Sequence, residues 1–239
     1  MVPLMPEGAV LALGGLEAFY GESQILHGVD LAVDRGEIVT LTGRNGAGKT
    51  TTLRAIMGML AKRRGSIRVA GVETIRWLPE RIARLGVGYV PEERGIFASL
   101  TVAENLLLPR QLKPDGMTLD EIYALFPNLR ERGATAGSKL SGGEQQMLAI
   151  GRVLRTGAAF FVLDEPTEGL APAIIAQISR ALGAMRQRGA AVLLVEQNFR
   201  FAAQVADRHY VMETGKIVDV IERAEIATKM ARLETYLGV

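Results

Sequence analysis

The chain has 239 residues, 48% hydrophobic and 23% charged, enough to bury a substantial core as one unit or as one unit with a small subdomain. Its 28 Lys and Arg against 26 Asp and Glu leave a net charge of +2, without the clustered excess with which proteins grip nucleic acid. Cysteine is absent, which excludes disulfides, thiol nucleophiles and zinc–thiolate sites and fits a reducing compartment.

The longest apolar runs, such as 158–163 and 190–195, have six residues, far below the about 20 that a bilayer helix needs. The first Lys or Arg is Arg35, so the charged region that precedes a signal-peptide core is missing. Any role at a membrane is therefore expected to run through a partner.

In chain order, Val10–Ala18 and Ile25–Val33 read as strands. A third, Glu37–Thr42, is rich in β-branched residues and stops at a glycine-rich turn. Lys49–Leu60, without Gly until Gly58, reads as a helix. Between strand and helix, Gly43, Arg44, Asn45, Gly46, Ala47, Gly48, Lys49 and Thr50 match G-x-x-x-x-G-K-[ST] in its confirming context. Glycines let the backbone curl so that amide N–H groups point at phosphate, and the helix N-terminus adds partial positive charge. These residues and Thr51 are expected to bind a nucleotide, with Lys49 on the β- and γ-phosphates and the Thr50 hydroxyl on Mg²⁺.

Lys62-Arg63-Arg64 reads as a solvated loop before a glycine turn, and Trp77 as packing near a helix start. About 115 residues separate the glycine loop from the next buried strand, where a simple crossover unit needs only about 30. The middle is helical in pattern over Val102–Leu108, Leu119–Phe126 and Gly143–Leu154, so a helical subdomain at about 101–155 is expected as an insertion. Within it, Leu140-Ser141-Gly142-Gly143-Glu144-Gln145 has the form of a capping box, Ser141 with Glu144. A capped helix start with two glycines also suits an anion.

Ala158–Leu163 reads as a buried strand that runs into Asp164 and Glu165. An apolar strand ending in an acid places Asp164 to hold Mg²⁺, and Glu165, one residue on, to activate a water for in-line attack. Pro172–Arg188 is a helix with Pro at its start and Gly189 past its end, and Ala190–Val195 is another buried strand. Asn198–Ala206 is helical, and His209–Glu213 and Lys216–Val220 flank a Thr-Gly turn. Buried strands alternating with helices predict a mainly parallel α/β sheet covered on both faces. His27 and His209 lack partners at ligand spacing and read as structural, while Met57, Met59, Met185 and Met212 read as core fillers.

GRNGAGKT, LSGGEQ and VLDEPT, in this order and at these separations, resemble the ATP-binding subunit of an ABC transporter, with LSGGE specific to that family. The likeness runs from about Val10 to the C-terminus. It implies a single ABC domain over 8–239: a P-loop core, an N-terminal antiparallel β part and the helical insertion, which would meet membrane-spanning permease subunits. It also implies a head-to-tail dimer in which each ATP lies between one subunit's P-loop and the other's signature motif. Ser141, Gly142, Gly143 and Glu144 would then act on the partner's ATP. Carried over singly, Tyr20 falls where an aromatic stacks on adenine, and Glu168-Gly169-Leu170-Ala171 matches a loop that touches the opposing subunit. Glu92 stands where most relatives carry a Mg²⁺-contacting Gln, and Gln197 where most carry a γ-phosphate His. Glu92 can still ligate Mg²⁺, and Gln197 can donate a hydrogen bond without carrying a proton. The implied catalytic set is Glu165, Lys49 and Gln197.

Val-Pro-Glu with Arg94 and Phe97, Thr-Glu-Gly-Leu-Ala-Pro, Val-Glu-Gln-Asn and the short tail Tyr236-Leu237-Gly238-Val239 resemble the ATPases of branched-chain amino-acid importers. That branch implies attachment at the cytoplasmic side of the plasma membrane through the permease, a second ATP-binding subunit (a related chain or a second copy, the branch usually pairing two different ATPases), an indirect solute-binding protein and no nucleic acid. Importers of urea or short-chain amides lie close by. A weakly hydrolysing, ATP-binding member of an asymmetric pair is the other open reading.

Overall fold

The computed structural model describes residues 8–226 except 113 and 115, together with 228 and 229. The tail motif at 236–239 lies outside them. The chain opens with strands β1 (Ala9–Tyr20) and β2 (Ser23–Asp34), an antiparallel pair closed by a two-residue turn with Tyr20 opposite Ser23. Strand β3 (Ile38–Thr42) is buried throughout and feeds helix α1 (Lys49–Ile56). Strands β4 (Lys62–Val69) and β5 (Val72–Glu73) complete a four-stranded antiparallel sheet in the order β2-β1-β4-β5. This is the N-terminal antiparallel part that the sequence likeness implies.

Helix α2 (Pro79–Ala83) and strand β6 (Val87–Val90) follow. Four helices then run in succession: α3 (Val102–Leu107), α4 (Leu119–Leu125), α5 (Pro127–Glu131) and α6 (Gly142–Arg155). Strand β7 (Phe160–Asp164), helix α7 (Pro172–Gln187), strand β8 (Ala191–Val195), helix α8 (Phe199–Val205) and strands β9 (Arg208–Glu213) and β10 (Lys216–Glu222) complete the core. The second sheet has the order β10-β9-β3-β8-β7-β6, parallel except for β10 at the edge.

Side chains alternate across this sheet as the two-residue strand period requires. Phe160, Val162, Leu193 and Val195 face a core shared with α1 and the antiparallel sheet. Phe161, Leu163, Val192 and Leu194 face one shared with α3, α4, α6 and α7. Burial on both faces explains why β8, and β7 up to Asp164, read as unbroken apolar runs.

Three expectations fail. Lys62-Arg63-Arg64 is the start of β4, not a solvated loop: Lys62, Arg63 and Arg64 lie opposite Phe19, Ala18 and Glu17. Their charges are served at the strand's surface. Arg63 donates to the carbonyls of Ala55 (2.8 Å) and Trp77 (3.0 Å), Lys62 reaches Glu22 at 2.8 Å, and Lys62 and Arg64 flank the Phe19 ring. The helix expected to reach Leu60 stops at Ile56, because Gly58 turns left-handed (φ +77°) and closes a Schellman cap. Gly58 and Met59 donate to the carbonyls of Ala55 (3.1 Å) and Arg54 (2.9 Å). A Cβ at 58 would lie 2.8 Å from the Trp77 carbonyl oxygen. Met59, just beyond this cap, is exposed rather than a core filler.

Candidate nucleotide-binding site

The carboxyl ends of β3, β7 and β8 and the loop after β6 converge beside α1. The loop 43–48 leaves β3 so close to β9 that a Cβ at Gly43 would sit 2.2 Å from the Met212 carbonyl oxygen. Lys49, 5% exposed, folds back across the loop and donates to the carbonyls of Gly43 (2.9 Å) and Arg44 (3.2 Å). Its ammonium also lies 3.5 Å from Glu165 Oε1.

Asp164 closes β7 and is fully buried. The Thr50 hydroxyl donates to its Oδ1 at 3.3 Å, while Oδ2 has no hydrogen-bond partner. Burial pushes the Asp164 carboxyl up to about 6. Glu165 follows in a left-handed conformation (φ +46°), its N–H donating to the Val195 carbonyl at 3.0 Å. Its carboxylate accepts from Gln197 Nε2 at both oxygens, 2.8 and 2.7 Å. The Gln197 amide therefore orients Glu165 in this structure. Glu92, past the end of β6, has its carboxyl raised by burial and then by the charges of Glu165, Glu168 and Glu93.

A cavity of about 450 Å³ is lined by Tyr20, Ile25, Asn45, Gly46, Gly48, Lys49, Thr50, Thr51, Glu92, Glu165, Glu168 and Gln197. Tyr20 is the last residue of β1, 44% exposed, and its hydroxyl accepts from Arg54 at 3.4 Å. Gly43, Arg44 and Ala47 shape the loop without lining the cavity. Thr50, Asp164 and Glu92 offer only oxygen donors, which suits a hard divalent cation. No group of three or more His, Asp or Glu among the described residues could hold an ion alone. A cation here would need further oxygens from a bound ligand.

Ser141, Gly142, Gly143 and Glu144 stand apart from this cavity, at the start of α6. The capping box is formed: Glu144 N–H donates to Ser141 Oγ at 3.3 Å, and Ser141 N–H to Glu144 Oε2 at 2.8 Å.

Glu196 escapes sequence reasoning, because nothing local distinguishes it from an exposed acid at a strand end. It is 2% exposed and accepts from Thr167 N–H (3.1 Å), Thr167 Oγ1 (2.6 Å) and Asn198 N–H (3.1 Å). It thus ties the loop carrying Glu165 to the loop carrying Gln197. Burial lifts its carboxyl from 4.5 to about 7, so the folded chain holds this proton more tightly than the unfolded one. The stability it adds is full below about pH 4.5 and is lost as pH rises through about 7. Glu196→Gln, which cannot titrate, should flatten the fall of the thermal midpoint across that window. Asp164, raised in the same direction, keeps part of the slope. An unchanged profile would remove Glu196 from the titration. His209 is also buried, shares a 2.6 Å hydrogen bond with Thr40 and is pushed down to about 4 by burial, hence neutral.

Residues 26–168 match the family model described as ABC transporter. The chain is 43% identical to the high-affinity branched-chain amino acid transport ATP-binding protein BraG of Pseudomonas aeruginosa, over 96% of this chain and all of that protein. It is 33% identical to the lipopolysaccharide export system ATP-binding protein LptB of Haemophilus influenzae, over 96% of this chain and 98% of that one. A solved ATP-binding subunit of an ABC transporter superposes with a TM-score of 0.81 at 27% identity, covering 96% of this chain and 100% of its own.

Proposed function

Because the chain belongs to the ABC transporter family, whose ATP-binding subunits hydrolyse ATP, we propose that it energises an importer of branched-chain or related amino acids. The observation that carries this choice is the full-length likeness to BraG, closer at 43% than the 33% shared with the export subunit LptB. Among the described residues no helix is long and apolar enough to cross a membrane. Attachment then runs through permease subunits, with the helical stretch at about 101–155 as the face that meets them. A solute-binding protein is engaged only indirectly, and the site sits on the cytoplasmic side of the plasma membrane.

The residue roles follow from charge. The phosphoryl transition state spreads negative charge over its oxygens and must be held in line with its nucleophile. Lys49 is the buried cation at the cradle, and it can exchange its two loop carbonyls for phosphate oxygens. Thr50, Asp164 and Glu92 would hold Mg²⁺, which neutralises phosphate charge when bound. Tyr20, at the cavity mouth, offers its ring to the base. Glu165 is the general base toward water, and Gln197 orients it. Because 141–144 lie outside this cavity, the chain by itself presents half a site. Ser141, Gly142, Gly143 and Glu144 of a second ATP-binding subunit complete it in a head-to-tail dimer. Closure of that dimer is the two-state element coupled to the permease. The second subunit is a related chain or a second copy of this one.

Affinity-purifying the chain from its native membrane, then reconstituting what co-purifies into ATP-loaded vesicles, tests the reading. Permease subunits and ATP-dependent uptake of leucine, isoleucine or valine are expected. Uptake of urea or short amides instead would move the substrate class. Outward movement of a lipid-linked solute would overturn import.

A further inference from the structure

Arg94 lies in the loop after β6 with φ +68°, a left-handed backbone that residues with a Cβ rarely adopt and that persists only where the surroundings impose it. Glycine would take this conformation without strain, so the side chain must supply the reason for its presence. The guanidinium packs against the start of α6. An ideal Cβ at Gly142 would meet Arg94 Nη2 at 3.0 Å and Cζ and Nη1 at 3.4 Å. Nη1 donates to Gln145 Oε1 at 2.8 Å, and Gln145 Nε2 in turn donates to the Gly137 carbonyl at 3.2 Å. From the helix side, Arg152 donates to the Gly95 carbonyl and stacks 4.5 Å from the Phe97 ring centroid.

The same short loop carries Glu92 into the nucleotide cavity. One segment is therefore bonded at one end to the helix that begins with Ser141-Gly142-Gly143 and faces the chain's own nucleotide at the other. We propose that Arg94 is a positioning residue that makes this loop and the start of α6 one mechanical unit, so that ATP and Mg²⁺ at the chain's own cradle set how Ser141–Gly143 is offered to the second ATP. This rests on the ATPase reading above and adds to it the residue, Arg94, that ties the loop carrying Glu92 to the start of α6.

Arg94→Gly separates positioning from structure, because it removes the guanidinium and relieves the left-handed strain together. In the assembled complex we expect a thermal midpoint equal to or above that of the unaltered chain and ATP affinity within about twofold. We expect kcat down about tenfold at unchanged KM and a loss of sigmoidal dependence on ATP. Gln145→Ala should reproduce the effect, and the double variant should be no worse than either single one, as for two partners of one contact. Normal turnover and cooperativity in Arg94→Gly, additive losses, or losses that track a lowered midpoint would overturn the role. If the unaltered complex does not hydrolyse ATP, the ATPase reading fails and takes this one with it. If it does and Arg94→Gly matches it, only the role of Arg94 fails.

Discussion

Replacing Glu165 with Gln is expected to lower ATP turnover by about 10²–10⁴-fold, the range set by removing a positioned general base, while nucleotide binding survives. The substitution keeps the shape of the side chain. Its amide oxygen can still accept from Gln197, which now donates at 2.8 and 2.7 Å. What disappears is the negative charge 3.5 Å from Lys49 and the capacity to take a proton from the attacking water. Losing that charge also lowers the repulsion a triphosphate meets beside Glu92 and Glu168, so ATP should be held as tightly as before or more so. Steady-state phosphate release measured alongside equilibrium ATP binding separates the two effects. Turnover near that of the unaltered chain would take Glu165 out of the chemistry.

Lys49→Ala should act on the other side of the ledger, weakening ATP binding by about 10²-fold or more. The magnitude is that of removing one member of a buried, hydrogen-bonded charge pair. Lys49 is 5% exposed and is the cation that reaches both the Gly43 and Arg44 carbonyls. Alanine takes the lysine donor from the Gly43 carbonyl, leaves the Arg44 carbonyl only the Ala47 N–H at 3.1 Å, and leaves the Glu165 carboxylate without its 3.5 Å cation, in a cavity already crowded with acids. Equilibrium titration with a fluorescent ATP analogue measures the loss. An affinity within threefold of the unaltered chain would show that the loop amides alone hold the phosphates.

How much of this could be read from the residues follows from range. Gly43–Thr50 was legible because spacing within eight residues defines the loop, and α1 and β3 flank it as expected. Asp164 was legible because a fully buried strand ending in an acid is a local pattern. The capping box at Ser141 was legible for the same reason, and Thr101 with Glu104 and Thr118 with Glu121 carry the same signature at α3 and α4. Lys62–Arg64 was misread because strand pairing with β1, about 45 residues away in sequence, overrides a cationic composition that resembles a loop. The Gln197–Glu165 bond spans 32 residues and the Arg94–Gln145 bond 51, and no local pattern announces either. The burial of Glu196 depends on Thr167 and Asn198 meeting across two loops, which only the folded sheet decides.

The chain has no cysteine of its own, so single thiols can be introduced without background. In the Glu165→Gln background, one thiol replaces Asn45 in the cradle and another replaces the signature serine of the companion ATP subunit, Ser141 itself if the companion is a second copy. With Mg²⁺ and ATP, oxidation should join the two subunits rapidly, and without nucleotide the bond should form slowly or not at all. If the thiols join equally fast without nucleotide, or stay apart in a preparation shown to hold ATP, the triphosphate is not enclosed between this chain's glycine loop and its neighbour's signature motif.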